Sequence, residues 1–125
     1  MTPREYHAQR EVERRQQREG LRLEMLERVR EAISQLAPDF PTIEAVYLFG
    51  SVVQYGRFNT HSDIDIAIHS ERVGDWLEAE SVFWRKLEEA VRWEVDLRPY
   101  EPPITQAIAD YGECVYARES DHSGT

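Results

Sequence analysis

A chain of 125 residues, 41% hydrophobic and 31% charged, holds one globular core and leaves no room for a separate acceptor-binding domain. Its net charge of −9 is uneven: residues 1–30 carry eight Arg against six Glu, residues 31–125 seven basic against eighteen acidic groups. That acidic body argues against sequence-independent binding to nucleic acid, the single Cys114 excludes an internal disulfide framework and suits a reducing cytoplasm, and nothing resembles a secretory signal or membrane span.

Residues 1–20 are dense in Arg, Glu and Gln and read as a charged helix or an arm, with Gly20 a weak point in any continuous helix. From Leu21 to Leu36 the apolar positions Leu26, Val29, Ile33 and Leu36 recur at spacings of three and four, which predicts a helix. Ala37-Pro38-Asp39-Phe40-Pro41 stops it, and Ile43 to Phe49 follows as a strand. Residues 51–56 are expected to form a short helix capped by Ser51, leading into a loop through Gly56, Arg57 and Thr60. A second strand spans about 63–69, and Gly74-Asp75 supplies a turn and cap for a helix over 76–91. The apolar positions of that helix, from Trp76 and Leu77 to Val91, form a core-facing stripe. Trp93 to Arg98 alternates as a third strand ended by Pro99, a short helix covers about 104–111, and Val115-Tyr116 adds a small closing element. Cys114 reads as a buried small side chain, and the polar tail from Glu119 as disordered.

The chemistry concentrates in two stretches. Gly50-Ser51 ends an apolar strand, where a glycine lets the backbone approach a ligand and a hydroxyl stands beside free helix N–H groups, an arrangement suited to phosphate. In Ser62-Asp63-Ile64-Asp65-Ile66-Ala67-Ile68, period-two alternation puts the isoleucines on one face and Asp63 and Asp65 on the other. Two carboxylates on one strand face repel each other unless a cation lies between them, and hard oxygen donors suit Mg²⁺ carrying a nucleotide's phosphates. A lone Asp-x-Asp is ordinarily a solvated strand face, and a Gly-Ser turn needs no ligand. The combination at this spacing is the informative signal.

Phe49-Gly50-Ser51, the eleven-residue spacer Val52 to Ser62, and Asp63-Ile64-Asp65-Ile66 resemble the signature of the DNA polymerase β-like nucleotidyltransferase superfamily. Over about residues 21–118 the chain is most similar to the minimal nucleotidyltransferases, often encoded beside a HEPN-domain partner. The resemblance implies an α+β fold: a small mixed β-sheet packed with helices, here with a long N-terminal helix and a tail over 119–125. It implies a third acid on the neighbouring strand, which selects Asp96 and leaves Glu94 in reserve. Asp63, Asp65 and Asp96 would then be catalytic and hold Mg²⁺, two ions by the family's pattern. The nucleotide-binding set would be Gly50, Ser51, Arg57 and Ser62: Gly50 and Ser51 would cradle the triphosphate, Arg57 would either touch it from the loop or remain a surface residue, and Ser62 would orient the loop or cap the strand. Relatives often carry Arg or another polar residue directly after Gly-Ser where this chain has Val52-Val53, and the spacer is one residue longer than the commonest minimal form. His61 and His69 read as strand-end or surface residues.

The resemblance further implies a cytoplasmic antitoxin that transfers AMP from ATP to a tyrosine hydroxyl of a HEPN ribonuclease toxin, in a hetero-oligomer without membrane or direct nucleic-acid binding. Two alternatives stand beside it: an antitoxin that neutralises by contact alone, and a transferase for a small molecule such as an aminoglycoside.

Overall fold

A computed structural model describes residues 1–70 and 76–119, with side chains at all of these except Trp76 and Leu77. The expected turn and cap at Gly74-Asp75, the tail beyond Glu119, and the first two members of the second helix's stripe lie outside that description.

The chain forms α1 (Pro3–Leu36), β1 (Ile43–Phe49), β2 (Ile64–Ser70), α2 (Trp76–Val91), β3 (Val95–Pro99), α3 (Ile104–Tyr111) and β4 (Glu113–Ala117). The four strands make one mixed sheet in the order β3-β2-β1-β4, so the architecture is the α+β one expected. β1 is antiparallel to both β2 and β4, whereas β2 and β3 run parallel and are joined through α2. This topology brings the C-terminal end of β1 and the N-terminal ends of β2 and β3 to the same edge of the sheet. All three candidate acids and the Gly-Ser turn lie at that edge.

The core follows from periodicity. Ile64, Ile66 and Ile68 on β2 and Val46 and Leu48 on β1 are buried against Met25, Val29 and Ile33 of α1 and Phe83, Leu87 and Val91 of α2. α3 lies against β1. Ala45, Ala67 and Ile108 are buried outside that main cluster.

α1 starts with a capping box, Thr2 Oγ1 accepting from the Glu5 amide at 3.1 Å while the Glu5 carboxylate accepts from the Thr2 amide at 3.2 Å. It continues through Gly20 without interruption, and its buried residues begin only at Met25. Charged pairs every three or four residues support the earlier turns.

Three local expectations are corrected. Ser51 caps no helix: Gly50–Val53 is a 3₁₀ turn whose N-cap position is Phe49, with no side-chain cap bond. β3 begins at Val95 rather than Trp93 because Arg92, at φ 55°, takes the left-handed conformation that closes α2. Cys114 is exposed, because β4 is an edge strand and Cys114 falls on its open side opposite Tyr47. Among the described residues no helix is long and apolar enough to cross a membrane.

Candidate active site

The register of the sheet assembles the acidic centre. Phe49 stands opposite Asp65 on one side, and Asp65 stands opposite Asp96 on the other, so the two carboxylates share a face of adjacent parallel strands. Asp65 is half-buried while Asp63, one residue ahead of β2, is exposed. Glu94 is exposed as well, and its carbonyl accepts from the Ile64 amide at 2.9 Å.

Gly50 explains why a glycine is required here. It has φ +73°, and a Cβ at this position would lie 1.9 Å from Asp65 Oδ2 and 2.8 Å from its Cγ. The backbone turn therefore sits directly on the Asp65 carboxylate, a close approach that only a glycine permits. The Gln54 side-chain amide donates to the Gly50 carbonyl at 3.0 Å, and the Gln54 backbone amide donates to the Ser51 carbonyl at 3.1 Å, which closes the turn.

Electrostatically the centre is short of positive charge. Burial, and after it the charges of Asp96 and Asp63, together push the Asp65 carboxyl up to about 6 against the opposing charge of Arg98. Arg98 Nε bonds Asp96 Oδ2 at 3.1 Å, a pair largely open to solvent. Among the described residues Arg98 is thus the one cation set against Asp65 and Asp96. An all-oxygen donor set with surplus negative charge fits a hard divalent cation. Among the described residues no three carboxylate, imidazole or thiol groups converge closely enough to form a ready metal cage. Asp63, Asp65 and Asp96 are brought to one edge of the sheet without being closed around a point.

An open cavity of about 400 Å³ adjoins this edge, lined by Thr60, His61, Ser62, Asp63, Trp93 and Glu94. It gives Glu94 a place beside Asp63, whereas Asp96 belongs with Asp65. Ser62 orients the loop: its hydroxyl accepts from the Asn59 amide at 3.0 Å and its carbonyl from Trp93 Nε1 at 2.6 Å. Arg57 is exposed on the loop. His69 is also exposed, lies toward the far end of β2, and packs beside Tyr100. His61, also exposed, lines the cavity.

Two supports are absent from the sequence reading. On α1, Arg22 and Glu19 form a bidentate pair at 2.7 and 2.9 Å; Arg22 also donates to the Val52 carbonyl at 3.2 Å, and Glu19 accepts from the Gly56 amide at 2.9 Å. The hydrogen-bonded Arg22 guanidinium holds the Glu19 carboxyl below its usual range. This pair ties the helix to the Gly-Ser turn and the loop after it. On α2, Trp84 Nε1 donates to the Val95 carbonyl at 2.7 Å and Glu88 accepts from the Val95 amide at 2.8 Å, which fixes the backbone immediately before Asp96. The i, i+4 spacing of Trp84 and Glu88 marks a shared helix face, but nothing local in the sequence assigns that face to β3.

The comparisons with known proteins agree with this architecture. Residues 31–121 match the family model "Polymerase beta, Nucleotidyltransferase". No curated protein matches the sequence significantly. A mutant of the toxin-antitoxin MntA-HpeT is 26% identical with TM-score 0.59, over 75% of this chain and 77% of that one. A toxin-antitoxin structure with AMP-PNP is 28% identical with TM-score 0.58, over 75% and 77% of the two chains. The tri-AMPylated Shewanella oneidensis HEPN toxin in complex with MNT antitoxin, at 24% identity and TM-score 0.52 over 79% and 77%, adds a likeness of fold. A match over most of the folded domain, with the Gly-Ser turn and the acidic strands at one sheet edge, settles the family: the chain belongs to the polymerase β-type nucleotidyltransferases and resembles the minimal antitoxin members among them.

Proposed function

We propose that the chain transfers AMP from ATP to a hydroxyl of a HEPN-domain toxin, a tyrosine by the family's pattern, and thereby acts as its antitoxin in the cytoplasm. The observation that carries this reading is the in-register Asp65–Asp96 pair beneath the left-handed Gly50 turn, with too little positive charge to balance it. The resemblance to toxin-antitoxin proteins, one of them with AMP-PNP, supports the nucleotide and the kind of partner.

Asp63, Asp65 and Asp96 would hold Mg²⁺. When bound, it would neutralise charge building on the phosphates during in-line displacement. The protein's own groups have separate tasks. Gly50 lets the main chain lie close to the phosphates without a side chain in the way, and Ser51 offers its hydroxyl there. Asp96, steadied by Arg98 and by the Val95 anchors, accepts the proton of the attacking hydroxyl. A bond forms between the acceptor oxygen and the α-phosphorus, the bond to the bridging oxygen breaks, and pyrophosphate leaves. The cavity beside Asp63 and Glu94 is open enough for a group presented by another protein.

A second reading, neutralisation by contact alone, draws on two observations: buried Val52 stands where relatives often carry Arg or another polar residue, and among the described residues the carboxylates do not converge on a metal point. Co-expression of the toxin with the Asp63→Asn/Asp65→Asn double variant separates the two. Loss of growth rescue, with the complex still forming on pull-down, supports transfer; full rescue supports contact alone.

A further inference from the structure

The helix α1 reaches beyond the matched domain, and its residues 14–21 border the loop between the two motifs. Two open cavities lie along that border, and Arg18 lines both. One, about 250 Å³, is lined by Arg15, Arg18, Glu19, Tyr55 and Gly56. The other, about 210 Å³, is lined by Arg14, Gln17, Arg18, Leu21, Asn59 and Thr60. Arg14 and Arg15 stand four and three residues before Arg18, so all three guanidiniums share one side of the helix.

Their counter-charge is thin. Among the described residues Glu11 alone faces Arg14, Arg15 and Arg18, at 3.8, 3.6 and 3.7 Å, longer than charge-assisted hydrogen bonds. Glu19, which also reaches the first cavity, is committed to Arg22 and the Gly56 amide. Among the described residues the Arg18 Nε atom is buried without a hydrogen-bond partner, while the Arg18 side chain as a whole stays 35% exposed. Around it stand neutral donors on Gln17, Asn59, Thr60 and Tyr55, the last a residue 78% exposed. A chain of net charge −9 repels polyanions overall, and this border is where the balance reverses locally.

We propose that the groove flanking Arg18 is a phosphate-binding site distinct from the Asp63–Asp65–Asp96 centre, accepting two neighbouring phosphates, one on each side of Arg18. A phosphate oxygen is an acceptor that takes several guanidinium donors at once, which gives the three arginines a shared counter-charge and relieves the repulsion among them. Two sources share this chemistry, a free polyphosphate chain and a single nucleic-acid strand. Tyr55 offers a stacking face that only the strand would use. The site does not depend on whether the acidic centre is catalytic.

Calorimetric titration without divalent cations, using inorganic tripolyphosphate and a short mixed-sequence single-stranded RNA, tests it. At least one probe binds at low ionic strength, the affinity is not lowered in Asp63→Asn/Asp65→Asn, and it falls about tenfold or more in Arg18→Gln. Arg15→Gln lowers it several-fold, and circular dichroism confirms that both variants keep the fold. Tighter binding of RNA that is also lost on Tyr55→Ala names the strand as the source; equal or tighter binding of tripolyphosphate names the free chain. Absence of binding by both probes, equal affinity in Arg18→Gln, or equal binding of a polyglutamate peptide of the same charge overturns the proposal.

Discussion

Gly50→Ala is the sharpest perturbation of the site. At φ +73° an L-residue costs about 1–2 kcal/mol for the left-handed backbone alone. The new methyl would also stand 1.9 Å from Asp65 Oδ2, so the carboxylate must rotate out of its place. Overpacking of this kind adds about 1–3 kcal/mol, for a total of about 3 kcal/mol. Gly56 is an internal control, because it has φ +74° with nothing within 4 Å of its absent Cβ. Gly56→Ala therefore costs only the backbone part, about 1 kcal/mol after the loss of unfolded-state freedom. In an Asp65→Ala background the Oδ2 and Cγ clashes vanish and only the Cβ contact at 3.0 Å remains, so Gly50→Ala should fall toward the Gly56→Ala value. Urea unfolding of the four variants gives the cycle. Equal costs for Gly50→Ala and Gly56→Ala, or no coupling between Gly50 and Asp65, would refute the close approach.

Glu80 is 4% exposed, extends the apolar stripe of α2, and has neither carboxylate oxygen partnered among the described residues; burial pushes its carboxyl up to about 7. The folded state then binds a proton that the unfolded state has released above its ordinary 4.5, so stability falls as pH rises from there to about 7 and levels off beyond. Glu80→Gln should remove that slope and gain up to about 3 kcal/mol near neutrality, read from urea midpoints across pH; an unchanged slope contradicts it. Trp84→Phe and Glu88→Ala each free one Val95 backbone group, and should lower kcat about tenfold or more with a melting shift of only a few degrees. Unchanged kcat would mean that Asp96 needs no such anchor. Arg22→Met strips the Val52 carbonyl and Glu19 of their partner and should cost about 2 kcal/mol, with part recovered in Glu19→Leu/Arg22→Met. A single variant as stable as the parent would dismiss this tie.

The sequence carries the skeleton of the fold because its signals are local. The period-two isoleucines of β2 and the stripe of α2 each depend on which residues must face one core, and the observed elements coincide closely with those readings. Asp63 and Asp65 illustrate the limit. Alternation assigns them one face, but whether a residue is paired depends on where the neighbouring strand starts. Asp65 is paired and half-buried while Asp63 is neither. The same holds for Glu80, a carboxylate at a core-facing position that no apolar pattern would place there. The ties from Glu19 and Arg22 join residues 37 and 30 positions apart, and such pairs leave no periodic trace. Ser51 misled for a different reason: a hydroxyl at a strand-to-helix junction is the usual cap, but the left-handed Gly50 starts the turn one residue earlier. Cys114 misled because apolar neighbours suggested a core element, whereas an edge strand buries only one side.

Intact-mass spectrometry of the cognate HEPN protein, after incubation with this chain, ATP and Mg²⁺, tests the central claim most directly. The account predicts a gain of one or more AMP units, abolished by Asp65→Asn and by Asp96→Asn but retained in Glu94→Gln. An unmodified HEPN protein in a stable complex with the wild-type chain would contradict it.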